Sequence, residues 1–511
     1  MKKLVLIPFV FFAFMQVAFA QKGYEIRIVF KGSQDTTMYL AMHSFGQSYI
    51  VDSIKNIKNG IAVFKGTMPL EKGVYILAGQ KRDRYFDFLV NESQKLTIKG
   101  EFPDLIKTLH STDSKENESL FNYARFYTLK NQETQKLIVA TRSKADSAKI
   151  IDDYQKKTRA EIKKYDDDFM VKHKGTFVYD FLNLKNDKFL LDAPLAKNGR
   201  PDSIYQYYYY KSHYFDGVDF KDDRIVRTPF FSDRIKSYFD RVIVQHPDTI
   251  IGELDKIFSR TNQGSLVYNT LLGHFSYKYE TDKSLSFDKQ GKTNTFEKVF
   301  VHLSDNYITN GNASGLYSDE TVVKIKNRVN IVRNLLPDAK VADLYMIDTL
   351  SGRKVLSMGF DTAKTNAGAS ILYAKHVNEL TPLYKTLYNV KAKYTLLVFW
   401  SVDCGHCTTD VPKLNENLKA LKGKVDVKVF AVQTKEEFFD RWKKFIADKH
   451  LDFINVFEPV HINNLTERFD INRTPVVYLL DKDKRIKGKS LAVDQVVEII
   501  NNIEGNESIK N

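Results

Sequence analysis

The two cysteines of the chain constrain most strongly what its C-terminal part can fold into. Cys404 and Cys407 are the only cysteines in 511 residues, and they closely follow an apolar run at residues 395–400. A short apolar run of this kind predicts a strand buried on both faces. The amphipathic segment 408–421 predicts a helix, so the cysteine pair lies where a buried strand passes into a helix.

A thiol at the first turn of a helix is chemically activated. The positive end of the helix dipole favours the thiolate, and His406 adds a positive charge or a hydrogen-bond donor. Cys404 is therefore the predicted nucleophile, and Cys407, one turn into the helix, is the predicted resolving thiol. A disulfide closing so short a loop would stabilise the fold by only about 2 kcal/mol, which favours a redox role over a structural one.

Two other uses of a C-x-x-C pair fit this sequence poorly. A closed zinc site needs two more ligands, and the chain has no second C-x-x-C and no paired-histidine motif. A c-type haem site needs His directly after the second cysteine, where this chain has Thr408. We therefore expect no metal and no cofactor beyond the redox-active Cys404 and Cys407 pair.

The first residues have the pattern of an export signal. Two lysines precede an apolar run at residues 4–14, and small residues lead up to Ala20. This order predicts a signal peptide at residues 1–20, cleaved after Ala20, with an uncleaved anchor as the alternative. No later apolar run approaches the ~20 residues of a spanning helix, so we expect a periplasmic mature chain without a stable membrane span.

Length and residue patterns predict a multidomain α+β protein, because 511 residues exceed one ordinary core. Residues 21–103 alternate between apolar and polar and are punctuated by glycines, which predicts an antiparallel β sandwich or barrel. Residues 104–335 have helical periodicity and few breaks, which predicts a helical middle domain. Residues 336–511 alternate strand and helix signals, which predicts an α/β domain with parallel strands.

The charge pattern argues against a nucleic-acid partner. The formal net charge is +14, from 77 Lys and Arg against 63 Asp and Glu, with the positive residues scattered among the acidic ones. Dispersed charge is typical of a solvated surface and not of a nucleic-acid face. We therefore expect no nucleic-acid binding.

The C-terminal region resembles the thioredoxin superfamily, in particular the TlpA-like and ResA-like branch of exported bacterial thiol-disulfide oxidoreductases. The likeness covers residues 336–505. Besides the cysteine pair and the order of the elements, it rests on Phe399-Trp400 before the cysteines, Pro412 in the helix after them, and Thr474-Pro475 before the apolar strand 476–480.

This resemblance implies a thioredoxin-like α/β fold that exchanges disulfides with protein thiols, together with a redox partner that supplies or removes electrons. It assigns Thr474, Pro475 and Trp400 to substrate binding. Pro475 matches the family's cis-proline, beside which the backbone of Thr474 would pair with an extended client segment.

Three departures from the family pattern concern the thiol pKa values. Val398 stands where cytoplasmic thioredoxins carry a buried Asp, so proton transfer from Cys407 must use another group. Asp410 stands where the ResA-like branch has Glu, and we expect it to modulate the thiol pKa values, an ordinary helix-surface Asp being the alternative. Asp403 replaces the usual Trp, and its carboxylate would oppose thiolate formation at Cys404, which leaves the direction of that pKa shift open.

The direction of exchange is open as well. The Gly405-His406 dipeptide is the one that protein disulfide isomerases carry, and such centres are more oxidising than thioredoxin. The TlpA-like resemblance instead implies a reductase.

The regions before the C-terminal domain resemble uncharacterised domains that precede thioredoxin-like domains in exported proteins of Bacteroidetes. His213-Tyr214-Phe215-Asp216 and Arg227-Thr228-Pro229 carry this likeness. It implies modules that present substrates or bind partners, with structural support as the alternative, and it names no chemistry.

Two other functions compete with disulfide exchange. The first is an envelope binding protein in which the thioredoxin-like domain is only a scaffold, although the intact cysteine pair argues against it. The second is a thiol peroxidase, since peroxiredoxins share the fold. Their site needs Pro seven residues and Thr three residues before the reactive cysteine, where this chain has Leu397 and Ser401.

Overall fold

The computed structural model describes residues 23–142, 146–190, 192–282, 284–287, 293–313, 315–362 and 366–510. The chain forms two compact units, the first ending at Tyr238 and the second beginning at Phe239. This division falls inside the segment 104–335, for which helical periodicity predicts a single helical domain. The predicted signal peptide, residues 1–20, lies outside the described residues.

The first unit begins with a β sandwich. Its strands are β1 (Tyr24–Lys31), β2 (Thr37–Ser44), β3 (Gln47–Lys55), β4 (Ile61–Gly66), β5 (Gly73–Ala78), β6 (Arg84–Val90), β7 (Lys95–Glu101) and β8 (His110–Ser111). One sheet has the order β4-β1-β7-β8 and the other β3-β2-β5-β6. Alternate side chains of both sheets, such as Ile28 and Phe88, share one fully buried core.

This arrangement confirms the predicted sandwich and corrects one detail of it. The expectation was a purely antiparallel fold, but β1 pairs with β7 in parallel, with Ile26 opposite Leu96. A parallel pair needs a crossover connection. Strands β2 to β6 form the connection between β1 and β7. The alternation of apolar and polar residues within one strand does not show which other strand it pairs with.

The first unit continues with helices α1 (Leu105–Thr108), α2 (Lys115–Thr141), α3 (Ser147–His173), α4 (Phe177–Asn183), α5 (Ser203–His213) and α6 (Phe231–Ser237). Ser114 is the N-cap residue of α2, and its side chain accepts a hydrogen bond from the Asn117 N–H at 3.1 Å. The fully buried Asn117 side chain then bonds both the N–H and the carbonyl of Leu89, at 2.7 and 2.8 Å. These bonds fasten the helical segment to β6.

The second unit opens with more helices, which confirms the predicted helical middle region. They are α7 (Pro247–Phe258), α8 (Leu266–Thr281), α9 (Glu297–Leu303) and α10 (Asp319–Arg333). A short antiparallel pair, β9 (Leu285–Phe287) and β10 (Thr293–Thr295), interrupts them.

A mixed β-sheet with helices completes the second unit. Its strands are β11 (Tyr345–Asp348), β12 (Tyr384–Thr386), β13 (Tyr394–Trp400), β14 (Val427–Gln433), β15 (Ile454–Phe457), β16 (Val476–Asp481) and β17 (Ile486–Gly488). Its helices are α11 (Gly352–Leu356), α12 (Asn366–Leu380), α13 (Gly405–Asn417), α14 (Phe439–Asp448), α15 (Leu465–Arg468) and α16 (Val496–Lys510).

The strand order in this sheet is β12-β11-β15-β14-β13-β16-β17. Parallel pairing joins β13, β14 and β15, whereas β16 and β17 and also β11 and β12 pair antiparallel to their neighbours. The predicted α/β domain is confirmed, with its parallel strands at the centre of the sheet and antiparallel strands on both sides of them. Chain reversals as short as that between β16 and β17 permit only antiparallel pairing.

Strand β13 lies inside the sheet and carries both hydrophobic cores of this domain. Every one of its residues is buried. Val398 and Trp400 face the core that includes Cys407 on α13, whereas Leu397 and Phe399 face the opposite core. Among the described residues, no helix is both long and apolar enough to cross a membrane.

Candidate active site

The cysteine pair lies where β13 passes into α13. Cys404 is the N-cap residue of α13, with extended backbone angles, and its Sγ accepts a hydrogen bond from the Cys407 N–H at 3.4 Å. An N-cap side chain points at the unpaired N–H groups of the first turn, which carry the positive end of the helix dipole. The sulfur of Cys404 therefore lies where a negative charge is favoured.

The two thiols have different surroundings. Cys404 is half-buried, whereas Cys407 is fully buried, and both are free thiols. The Sγ of Cys404 also lies 3.3 Å from the carbonyl oxygen of Thr474. Thr474 precedes Pro475 through a cis peptide bond, as the resemblance implies. The partly exposed sulfur of Cys404 therefore contacts the buried residue Cys407 and the backbone of Thr474, which lies in a loop distant in sequence.

Burial and hydrogen bonding act on the two thiols with opposite results. Burial raises the pKa of Cys404, but hydrogen bonds from Cys407, from the Thr474 side chain and from backbone N–H groups outweigh it and hold the pKa below its ordinary value. Burial, together with the hydrogen bond to Cys404, raises the pKa of Cys407. At neutral pH this difference favours a thiolate at Cys404 and a protonated thiol at Cys407.

The negative charge of Asp403, next to Cys404, is paired with positive side chains. Its carboxylate forms ion pairs with Lys435 at 2.9 Å and with Arg441 at 3.5 Å. The hydrogen bond to Asp403, together with the negative charges of Asp403 and Cys404, raises the pKa of Lys435. Lys435 therefore compensates the negative charge of Asp403, which would otherwise oppose thiolate formation at Cys404.

Replacement of Lys435 by Ala is expected to slow alkylation of Cys404 at pH 7 by about two- to fivefold, because Asp403 then acts on the thiolate with less compensation. The initial rate with iodoacetamide in reduced protein measures this effect. Lys444→Ala, at an exposed position of α14, is the matched control. The effect is expected to shrink in 1 M salt. Equal rates for the two variants would contradict this role of Lys435.

The other predicted site residues near the cysteines differ in how exposed their side chains are. His406 is exposed on the first turn of α13, and Asp410 is half-buried one turn after Cys407. Trp400 is fully buried, with its ring 5.8 Å from that of Phe445. The expected contact between Trp400 and a substrate is therefore wrong. As the last residue of a strand buried on both faces, Trp400 points into the core beneath the cysteines.

A polar cleft of about 540 Å³ lies beside Thr474 and was not predicted from the sequence. Lys435 and Glu436 after β14, His461 after β15, and Arg473 before the cis-proline line it. Three loops from separate parts of the chain thus form its walls. No local motif signals such a cleft, because only the sheet topology brings these loops together.

A metal site would need several His, Cys, Asp or Glu side chains close together within the residue ranges that the structure describes. Within those ranges, no group of three or more His, Cys, Asp or Glu side chains is placed to hold a metal ion.

Three family models match the chain. Residues 383–489 match the AhpC/TSA family, residues 200–332 match a domain of unknown function called DUF5106, and residues 24–120 match another called DUF4369. The C-terminal part is a thioredoxin-like domain of the AhpC/TSA family. Both matches upstream of this thioredoxin-like domain are to domains of unknown function, which confirms the predicted likeness to uncharacterised domains.

Solved structures similar to the chain carry related descriptions. A domain of a possible thiol-disulfide isomerase from Cytophaga hutchinsonii has 29% identity, covers 34% of this chain and 97% of its own, and has a TM-score of 0.25. A thioredoxin-like protein from Bacteroides caccae has 16% identity, coverages of 62% and 99%, and a TM-score of 0.32. A thiol:disulfide interchange protein from Bacteroides sp. has 20% identity, coverages of 33% and 90%, and a TM-score of 0.24. Among curated proteins, none matches the chain.

Proposed function

We propose that this protein is an exported thiol-disulfide oxidoreductase that exchanges disulfides with envelope proteins through Cys404 and Cys407. The observation that carries this proposal is the asymmetry of the pair. Cys404 is half-buried at a helix N-cap with a lowered pKa, and the fully buried Cys407 lies within hydrogen-bond reach behind it. Such an arrangement suits one thiol for attack and the other for release.

Cys404 and Cys407 supply both sulfur atoms that the protein needs to reduce one client disulfide. The Cys404 thiolate attacks one sulfur of a client disulfide, which forms a mixed disulfide and releases the other client sulfur as a thiolate that takes up a proton. Cys407 then gives up its proton and attacks Cys404 Sγ, so that the client leaves reduced and Cys404 and Cys407 become a disulfide. A redox partner returns two electrons, and the reverse sequence oxidises a client dithiol.

The surroundings of Cys404 fit a peptide substrate. The Thr474 backbone lies against Cys404 Sγ, and the adjoining polar cleft is open to solvent. An extended client segment would pair with the backbone at Thr474, with its neighbouring side chains in this cleft. His406 is exposed at the rim of the pair, where its ring would meet the client. Asp410 is proposed to adjust the thiol pKa values from one turn further along α13.

Disulfide exchange itself is the first test. Reduced protein mixed with a disulfide-bonded peptide is expected to reduce it far faster than free dithiol at the same concentration, and the Cys404→Ser variant is expected to lose this activity. An unchanged rate in Cys404→Ser would contradict the proposal and favour a binding protein with a thioredoxin-like scaffold. Consumption of peroxide by reduced protein at rates beyond a free thiol would favour the peroxidase alternative.

The equilibrium potential of the pair in glutathione buffers determines the direction of exchange. A value near that of thioredoxin indicates a reductase, and a value tens of millivolts higher indicates an oxidant or isomerase, because about 30 mV changes the equilibrium constant tenfold. Export is tested separately. Protein recovered from the periplasm is expected to begin at Gln21.

A further inference from the structure

An ion pair joins α10 to the loop that precedes Pro475. The guanidinium of Arg328 donates to both carboxylate oxygens of Asp470, at 2.6 and 2.7 Å. The Asp470 side chain is 5% exposed and that of Arg328 is 21% exposed. A bidentate pair removed from water to this extent is stronger and more directional than a surface ion pair.

Asp470 lies four residues before Thr474, at the start of the segment that carries the cis-proline. Its Oδ1 also accepts a hydrogen bond from the Asn472 side chain at 2.6 Å. The preceding Phe469 is buried, with its ring 5.0 Å from that of Phe399 on β13. One end of segment 470–474 is thus held by Arg328, and the other end contacts the Cys404 sulfur through the Thr474 carbonyl.

Arg328 is itself held from a second direction. Its Nε lies 3.5 Å from the Glu280 carboxylate on α8. Nearby, Glu297 on α9 pairs with Lys489 after β17 at 2.7 Å, with both side chains nearly fully buried. Charged groups on three helices of the middle region therefore hold two loops of the thioredoxin-like domain, within the same compact unit.

We propose that Arg328 is a positioning residue for disulfide exchange: through Asp470 it fixes segment 470–474, so that Thr474 presents its backbone to the client beside Cys404. This inference rests on the proposed function for its reaction and goes beyond it by assigning a role to the helical region. Arg328 lies within residues 200–332, the part of the chain that matches a domain of unknown function.

Another arginine on the same helix provides a matched comparison. Arg333 forms an ion pair with Asp305 at 2.5 Å, but its side chain and that of Asp305 are 42% and 43% exposed. Asp305 follows α9 and is remote in sequence from the cis-proline segment. Arg333→Ala therefore removes an arginine and an ion pair from α10 without releasing segment 470–474.

The test compares Arg328→Ala, Asp470→Asn and Arg333→Ala in the full-length protein. Two substrates separate positioning from general damage: a disulfide-bonded peptide, which needs the Thr474 edge, and oxidised glutathione, which needs little beyond the cysteines. In Arg328→Ala and Asp470→Asn we expect kcat/KM for the peptide to fall about tenfold, because a displacement of the loop misaligns the client. Exchange with glutathione is expected to change less than about twofold, and Arg333→Ala is expected to match the unmodified protein on both substrates.

A second measurement, the pH dependence of Cys404 alkylation, reports on the position of segment 470–474 and needs no client. The pH midpoint of Cys404 alkylation is expected to rise in both loop variants, because the Thr474 side chain helps to lower the Cys404 pKa. The double variant Arg328→Ala/Asp470→Asn is expected to be no worse than either single variant, as holds when two residues act through one contact. Arg328→Lys is expected to recover part of the peptide activity, since it keeps the charge but not the bidentate geometry.

Folded loop variants with an unchanged ratio of peptide to glutathione exchange and an unchanged alkylation midpoint would overturn this role for Arg328. If Arg328→Ala fails to fold, Asp470→Asn, which keeps the size and shape of the side chain, decides the matter by the same two measurements. If the unmodified protein catalyses no exchange, the proposed function fails, and the alkylation midpoint still decides whether Arg328 positions the loop.

Discussion

The Cys407→Ser variant is expected to accumulate mixed disulfides with client proteins, whereas Cys404→Ser is expected to accumulate few or none. In Cys407→Ser, Cys404 can still attack a client disulfide, but no thiol lies behind it to release the client. In Cys404→Ser the remaining thiol is fully buried and protonated at neutral pH, so the first attack does not occur. Cells that express each variant, quenched with acid and run on non-reducing gels, show the adducts directly.

The controls for this experiment lie in the same pair. The double variant without either cysteine is expected to show no adducts, and reducing agent is expected to release the clients from Cys407→Ser as free proteins. Mass spectrometry of the adduct bands is expected to place every linkage at Cys404. Equal adducts in the two single variants would show that the assignment of attacking and resolving thiols is wrong.

Alkylation is expected to distinguish the two thiols of the reduced protein by at least about 100-fold at pH 7, with Cys404 the faster. Two causes act in the same direction. Cys404 is partly exposed with a lowered pKa, and Cys407 is buried with a raised pKa. Since the thiolate is the reactive form, a lowered pKa increases the reactive fraction at neutral pH and a raised pKa decreases it.

The dependence of each rate on pH follows from the same shifts. As the pH rises, the rate for Cys404 is expected to level off below the ordinary thiol pKa of about 8.5, while the rate for Cys407 continues to rise above it. In Cys404→Ser, the midpoint for Cys407 is expected to move down, because the hydrogen bond and the negative charge of Cys404 contribute to its raised pKa. Mass spectrometry of timed samples measures both thiols at once, and equal rates for them would contradict the assignment.

Local patterns predicted the elements that carry the chemistry. The apolar run at 395–400 matches the buried strand β13, and the cysteine pair opens α13 as expected. These features depend on the period of hydrophobic residues and on helix capping, which act between near neighbours in the chain. The edge strand β3 lies within the predicted β region, but most of its residues are exposed, so no alternation between a buried and an exposed face marks its bounds.

The sequence by itself determined that one thiol lies where a buried strand passes into a helix, with a second thiol one turn behind it. Only the tertiary structure decided what surrounds that thiol. Thr474 is 70 residues from Cys404, Lys435 is 32 residues from Asp403, and Arg328 is 142 residues from Asp470. It also decided that Trp400 faces the core and not the client. Strand and helix periodicity are local properties, whereas these contacts depend on strand order and on how the helices pack against the sheet, which no short segment contains.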